Sequence, residues 1–274
     1  YFIFLYNVIK NILKGQIFMK NELGKALKTV PELYHDTLQP SAQETGKMLA
    51  RIPRAINAAF SGLDKWILNR EYSVDETKKL LTEKLNKVDP DKIVEPEPYV
   101  AIPAIQAISY AMNSDELRNL YANLLAKSMI SDTKDTVHPS FVEIIKQMSP
   151  IDAHIFQIIM SSRPRPIIDL KKEFPGGGSL LIQSHCSWIS DFSIKQCAAS
   201  IDNLLRLGLI EIPYGEYYSN TQAYDHVKQN PLFQELEQQS SISLNSGESL
   251  EYDNRYIKPS DLSTLFYNIC VLNP

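Results

Sequence analysis

The sequence is short of the residues that announce chemistry most directly. Its 274 residues include only three cysteines, Cys186, Cys197 and Cys270. They are odd in number, widely spaced and never in a C-x-x-C pair, so the plain reading is reduced thiols in a cytoplasmic protein rather than a disulfide framework. Strong charge of one sign is missing too. With 28 Lys/Arg against 32 Asp/Glu the net charge is −4, which excludes a nucleic-acid-binding polycation. No phosphate-cradling G-x-x-x-x-G-K-[ST] motif occurs, and no clear strand pattern precedes Gly176-Gly-Gly178, so that glycine run reads as a flexible loop. No evident catalytic apparatus stands out, and no cofactor or metal is expected.

A long uninterrupted apolar run is also lacking. Residues 1–18 are apolar and aromatic, but Asn7, Lys10, Asn11 and Lys14 interrupt them, which makes a poor membrane span. They carry neither a basic leader nor a small-residue cleavage site. Met19-Lys20-Asn21 reads as a natural start. Residues 1–18 then read as upstream sequence or a cloning remnant, or, if native, as a short amphipathic helix.

What the chain has is ordinary globular composition, 44% hydrophobic and 22% charged, with a length for one large or two ordinary domains. Residues 1–94 hold 15 Lys/Arg and 11 Asp/Glu, a balance of +4, and residues 149–274 hold 9 and 14, a balance of −5. An acidic back half does not favour DNA binding there.

Helix signals dominate the first 160 residues. Ile56, Phe60, Leu63 and Ile67 fall on one helical face. Ser73-Val-Asp-Glu76 has the form of a capping box opening a helix to about Asn86. The proline-rich stretch Asp89–Pro98 reads as a linker. Val100–Met112 is nearly all apolar, which predicts a central helix buried on all sides, with Pro103 in its first turn. Ser114 then caps a helix whose first turn holds Asp115 and Glu116. Ser140-Phe-Val-Glu143 is a further capping box, and Ser149-Pro-Ile-Asp152 a third start.

The pattern changes after Met160. Arg163-Pro-Arg-Pro166 reads as a turn and Ile167–Phe174 as a short helix, while residues 179–192 are ambiguous. Ser193–Leu207 is amphipathic and stops at Gly208. Leu209–Pro213 alternates like a strand. Arg255–Lys258 fits the returning strand of a wing, and Pro259-Ser260-Asp261 starts a last helix ending near Val271. Residues 214–254 form a polar insertion with a helix at about 221–238 and a mobile tip at Ser240–Ser249. The predicted architecture is mainly α. It comprises an extension at 1–40, a helical bundle at 41–148, and a winged-helix-like α+β part with a small β-wing at 149–274.

Several residue groups are candidates for function. His138, Pro139 and Ser140, with Asp152 or His154, supply the residue types of a nucleophile and base, although a loop that starts a helix explains them without chemistry. His185-Cys186 is a further pair, too few for a metal site. Lys195 and Arg206 on the amphipathic helix, with Arg163, Arg165, Lys171 and Lys172, are the cations a winged helix would present to DNA. Residues 47–70, with Arg51, Arg54, Phe60 and Trp66, form a basic amphipathic segment suited to a partner or a membrane interface.

Three blocks are specific enough to suggest a family: Lys65-Trp-Ile-Leu-Asn-Arg-Glu-Tyr-Ser-Val-Asp-Glu-Thr-Lys-Lys-Leu-Leu81, Glu116-Leu-Arg-Asn-Leu-Tyr-Ala-Asn-Leu-Leu-Ala126 and Val137-His-Pro-Ser-Phe-Val-Glu-Ile-Ile-Lys-Gln-Met-Ser-Pro-Ile-Asp-Ala153. They resemble the abortive-infection alpha family, a bacterial group formerly described as a domain of unknown function. The likeness extends more weakly over residues 40–270. The last helix departs from it, with Ser260-Asp-Leu-Ser263 where the family form contains glycine. The resemblance implies a role in defence against phage and transfers no catalytic residue. The expectation is a non-enzymatic protein-binding or sensor module, the alternatives being a membrane-interacting effector and a DNA-binding regulator.

Overall fold

The structure, a computed structural model, describes residues 50–58, 71–111 and 113–274. Chain contacts separate Tyr1–Ala50 from a second unit, Arg51–Pro274, and the second is described below. It is mainly α-helical with a small antiparallel β part, as expected.

After a helical stretch at 51–58 come α1 (Glu71–Leu85), α2 (Pro98–Ile108), α3 (Asp115–Ser128), α4 (Ser140–Lys146) and α5 (Pro150–Ser161). A hairpin of β1 (Pro166–Glu173) and β2 (Ser179–Ser187) leads to α6 (Ile194–Arg206) and the short strand β3 (Ile210–Glu211). The insertion contains α7 (Asp225–Lys228) and α8 (Pro231–Ile242). Then follow β4 (Ser249–Tyr256), β5 (Lys258–Pro259), α9 (Asp261–Phe266) and a π turn, Tyr267–Val271.

Side-chain caps explain where several helices begin. Ser114 accepts from the Leu117 amide at 3.3 Å. Ser149 and Asp152 form a full capping box, the serine oxygen accepting from the Asp152 amide at 3.1 Å and the carboxylate from the Ser149 amide at 2.7 Å. Ser193 and Gln196 make a second box at the start of α6. Two expected boxes are corrected. Helix α1 already runs at Glu71, so Ser73 lies inside the helix rather than at its cap. Helix α4 has no side-chain bond from its cap residue Pro139, and Ser140 is its first helical residue.

The central helix is α3, not the nearly all-apolar α2. Every residue from Leu120 to Ile130 is buried. Helix α2 buries Val100, Ala101, Ala104, Ile105 and Ile108 and leaves Ile102, Pro103 and Ala107 half-buried. Polar groups inside α3 are answered by the far end of the chain. Asn123 Nδ2 donates to the carbonyls of Cys270 at 2.9 Å and Val271 at 3.0 Å, and the Lys127 ammonium donates to the Asn268 carbonyl. Carbonyls at a helix C-terminus lack partners in their own helix, and α3 supplies them.

The segment Ile167–Phe174, expected as a short helix, is strand β1. Its residues from Pro166 to Leu170 are all buried, as suits the middle strand of a sheet ordered β2-β1-β4. Burial at consecutive positions hides the alternation by which a strand is recognised, and the register shifts opposite Leu170 mark a bulge in β2. Gly176–Gly178 lie in the tight connection of this hairpin, with Gly177 and Gly178 at φ of 90°.

The expected returning strand Arg255–Lys258 is divided. Arg255 and Tyr256 pair with β1, and Lys258 pairs with Glu211 of β3. The helix expected at 221–238 is broken at Asn230-Pro231. There Asn230 accepts from the Leu232 amide and donates to the carbonyls of Ser187 and Ile189, each at 3.0 Å, which clamps the insertion to the end of β2.

One apolar core runs from Ala55 to Cys270 and includes residues on both sides of position 148. A smaller one, with Ile168, Cys186, Tyr224, Val227 and Phe233, lies between the sheet and the insertion. Replacing Asn123 by alanine leaves the Cys270 and Val271 carbonyls without their buried donor. The expected cost is about 1–3 kcal/mol, read as a lower urea midpoint with an unchanged m-value.

Candidate functional site

An open cleft of about 570 Å³ lies between α2, α3 and α4. Helix α2 and the turn after it contribute Pro103, Gln106, Ala107, Tyr110 and Ala111, α3 contributes Leu117 and Tyr121, and α4 contributes Val142, Glu143, Ile145 and Lys146. Two of the three sequence blocks that suggested a family thus supply its walls. The cleft is mostly apolar. Its two charges, Glu143 and Lys146, stand 3.6 Å apart, and Tyr110 is 73% exposed at its edge. The buried Tyr121 hydroxyl donates to the Val142 carbonyl at 3.5 Å, and burial pushes its pKa well up. The site offers apolar contact area with one ion pair and one tyrosine at its edge.

A second, smaller cavity of about 200 Å³ lies between α3 and α5, lined among others by Glu116, Asn119, Asn123, His154 and Gln157. Hydrogen bonds from its own backbone and from Ser114 hold the Glu116 carboxyl below its usual range.

His138 and Ser140 do meet. The Nδ1 of His138 lies 2.6 Å from the Ser140 hydroxyl and accepts from the Ser140 amide at 3.1 Å. That amide is one of the free donors at the start of α4, so the imidazole caps the helix in place of the expected serine. The other residues weighed with them face elsewhere. Asp152 accepts from Ser200 Oγ at 2.6 Å and Asn203 Nδ2 at 3.0 Å, joining α5 to α6. His154 is 3.7 Å from Asp191 and packs edge-on against Phe192. Among the described residues no carboxylate stands behind His138.

His185 sits in the bulge at φ 53°. Its amide donates to Asp169 at 2.7 Å, and its Nδ1 is 3.2 Å from Asp202. Burial pushes the Cys186 thiol up to about 12 and raises Cys197 and Cys270 as well. Among the described residues no three His, Cys, Asp or Glu lie close enough to hold a metal ion.

The candidate nucleic-acid contacts are largely engaged within the molecule. Arg165 is buried and donates to the Ile159 and Met160 carbonyls. Lys171 pairs with Asp253 at 2.7 Å, Lys172 with Glu248 at 3.2 Å, and Arg206 donates to Asn203 and Gln147. Arg163 and Lys195 complete the set, on the turn before β1 and the first turn of α6. Of the candidate partner or membrane contacts, Arg51 pairs with Asp91 at 2.8 Å and donates to the Pro90 carbonyl at 3.2 Å. Arg54 is exposed. Phe60 and Trp66 lie outside the described residues. Among those residues no helix is long and apolar enough to cross a membrane.

The buried thiols generate one expectation. A thiol with a raised pKa stays protonated at pH 8 and reacts slowly. A water-soluble disulfide reagent should titrate almost no thiol in the folded chain at pH 8 and all three after unfolding. The His138 cap generates another: His138→Ala should cost about 1 kcal/mol, measured by thermal unfolding.

Comparison with known proteins gives one finding. The family model described as abortive infection alpha matches residues 69–270, most of the chain. No curated protein and no solved structure matches. The chain belongs to the abortive infection alpha family.

Proposed function

We propose that this protein is a non-enzymatic component of defence against phage, and that it works by binding a partner protein in the cleft between α2, α3 and α4. The family supplies the context of abortive infection. The observation that carries the binding reading is the outer face of α2. A helix without a polar face is ordinarily covered on all sides, yet here Ile102, Pro103 and Ala107 are only half-buried beside the exposed Tyr110. An apolar cleft flanked by a tyrosine and a few charges has the composition of a protein-binding surface. An apolar helical segment is the partner element that fits a groove between helices.

The test is a phage challenge of cells carrying the wild type or a cleft variant. Tyr110→Glu is expected to weaken partner binding about tenfold or more and to abolish protection. Circular dichroism and thermal unfolding should show that the variant is folded. Ala107→Glu, deeper in the cleft, should do the same. Full protection by both folded variants would refute the cleft as the working surface.

A further inference from the structure

The sheet ordered β2-β1-β4 has two outer strands, and they are protected differently. Strand β4 carries Glu251, Asp253 and Arg255, the kind of charge that stops an open edge from pairing with another chain. Strand β2, Ser179-Leu-Leu-Ile-Gln-Ser-His-Cys-Ser187, contains no Asp, Glu, Lys, Arg or proline. Its far end is buried, and Asp202 of α6 reaches His185 there. Its near end is exposed at Ser179, Leu180 and Leu181, with Leu180 54% and Leu181 51% exposed, and half-buried at Ile182 and Gln183. The cations beside these leucines are neutralised within the molecule. Lys171 lies across from Leu181 and Lys172 across from Leu180, and both are held in ion pairs, with Asp253 and Glu248. The adjoining turn leaves room for a neighbour, since Cβ atoms added at Gly176, Gly177 and Gly178 would meet nothing within 4 Å.

We propose that Ser179–Gln183 is the pairing edge of a two-fold dimer, in which it lies antiparallel to the same stretch of a second copy and the two sheets join into one. A second copy is the occupant that the charge pattern fits. A two-fold antiparallel pair sets residues of one short stretch against each other, and like charges facing across it oppose the pairing. Strand β2 meets this condition, whereas β4 would bring Glu251 and Asp253 towards their own copies. Leu180 and Leu181 point to opposite faces of the sheet. Each face of the joined sheet therefore gains leucine contact across the axis, while the outward N–H and C=O groups gain partners.

Sedimentation equilibrium of the full chain over a dilution series tests this. The wild type should show a reversible monomer–dimer equilibrium. Leu181→Lys and Leu181→Glu should each weaken it about tenfold, with circular dichroism and melting temperature unchanged because the site is exposed. Mixing the two variants should restore association by setting opposite charges together. A wild type that is monomeric throughout, association kept by both variants, or no recovery on mixing the folded variants would overturn the proposal.

Discussion

A helical stretch with no face in water constrains the whole molecule. Between Leu120 and Ile130 the chain is buried at every position, and the stretch includes Asn123, Lys127 and Ser128. Polar groups in such a setting are costly unless they are bonded. Ser128 bonds within its own turn, to the Leu125 carbonyl at 2.7 Å. Asn123 and Lys127 reach the carbonyls of residues 268–271. The last turn of the chain is therefore part of the core of the first helices, and Phe266 packs edge-on against both Phe141 and Phe156. A long-range polar bond and an aromatic cluster make the same connection by different physics.

Helix starts were the most legible part of the sequence, because a cap is a local device. Ser114 and Ser149 act as their spacing predicts. The same serine-to-glutamate spacing failed at Ser140, because the helix starts one residue earlier than the box requires and Ser140 is its first helical residue, its own amide held by the imidazole of His138. Burial was less legible. Apolar composition pointed to α2 as the central helix, but position in the bundle depends on neighbours that are remote in sequence. Helix α3, with charged and amide side chains, takes the centre because the C-terminal turn supplies its partners. Strand β1 was illegible for a further reason. It is the middle strand, and Pro166 to Leu170 are buried at every position, so no alternation of buried and exposed residues marks it in the text.

The candidate site was half legible. The blocks that carry the family resemblance include Leu117, Tyr121, Val142, Glu143, Ile145 and Lys146, six of the residues that line the cleft. Nothing in their order says that they face one another, since that follows from the packing of α4 beside α2 and α3. Tyr110 and Ala107 carried no signal, because an apolar helix reads as core whether or not something covers it. The cations show a related limit. Arg165, Lys171, Lys172 and Arg206 look like contacts for phosphate in the sequence, and in the fold they hold backbone carbonyls, carboxylates and amides, partners that their order does not reveal.

The family text around α3 and α4 thus serves two purposes that the helical period separates. Leu120, Leu124 and Leu125 are core residues, and changing them alters stability before anything else. Gln106, Ala107, Tyr110, Glu143 and Lys146 border the cleft and are exposed or half-buried, so changing them alters the surface and leaves the core intact. Apolar area left in water forgoes about 25 cal/mol per Å², and the outer face of α2 forgoes it in the isolated chain. Covering that face with an apolar partner segment gains this free energy without rearranging α3, because the residues that would move are not those that hold the bundle together.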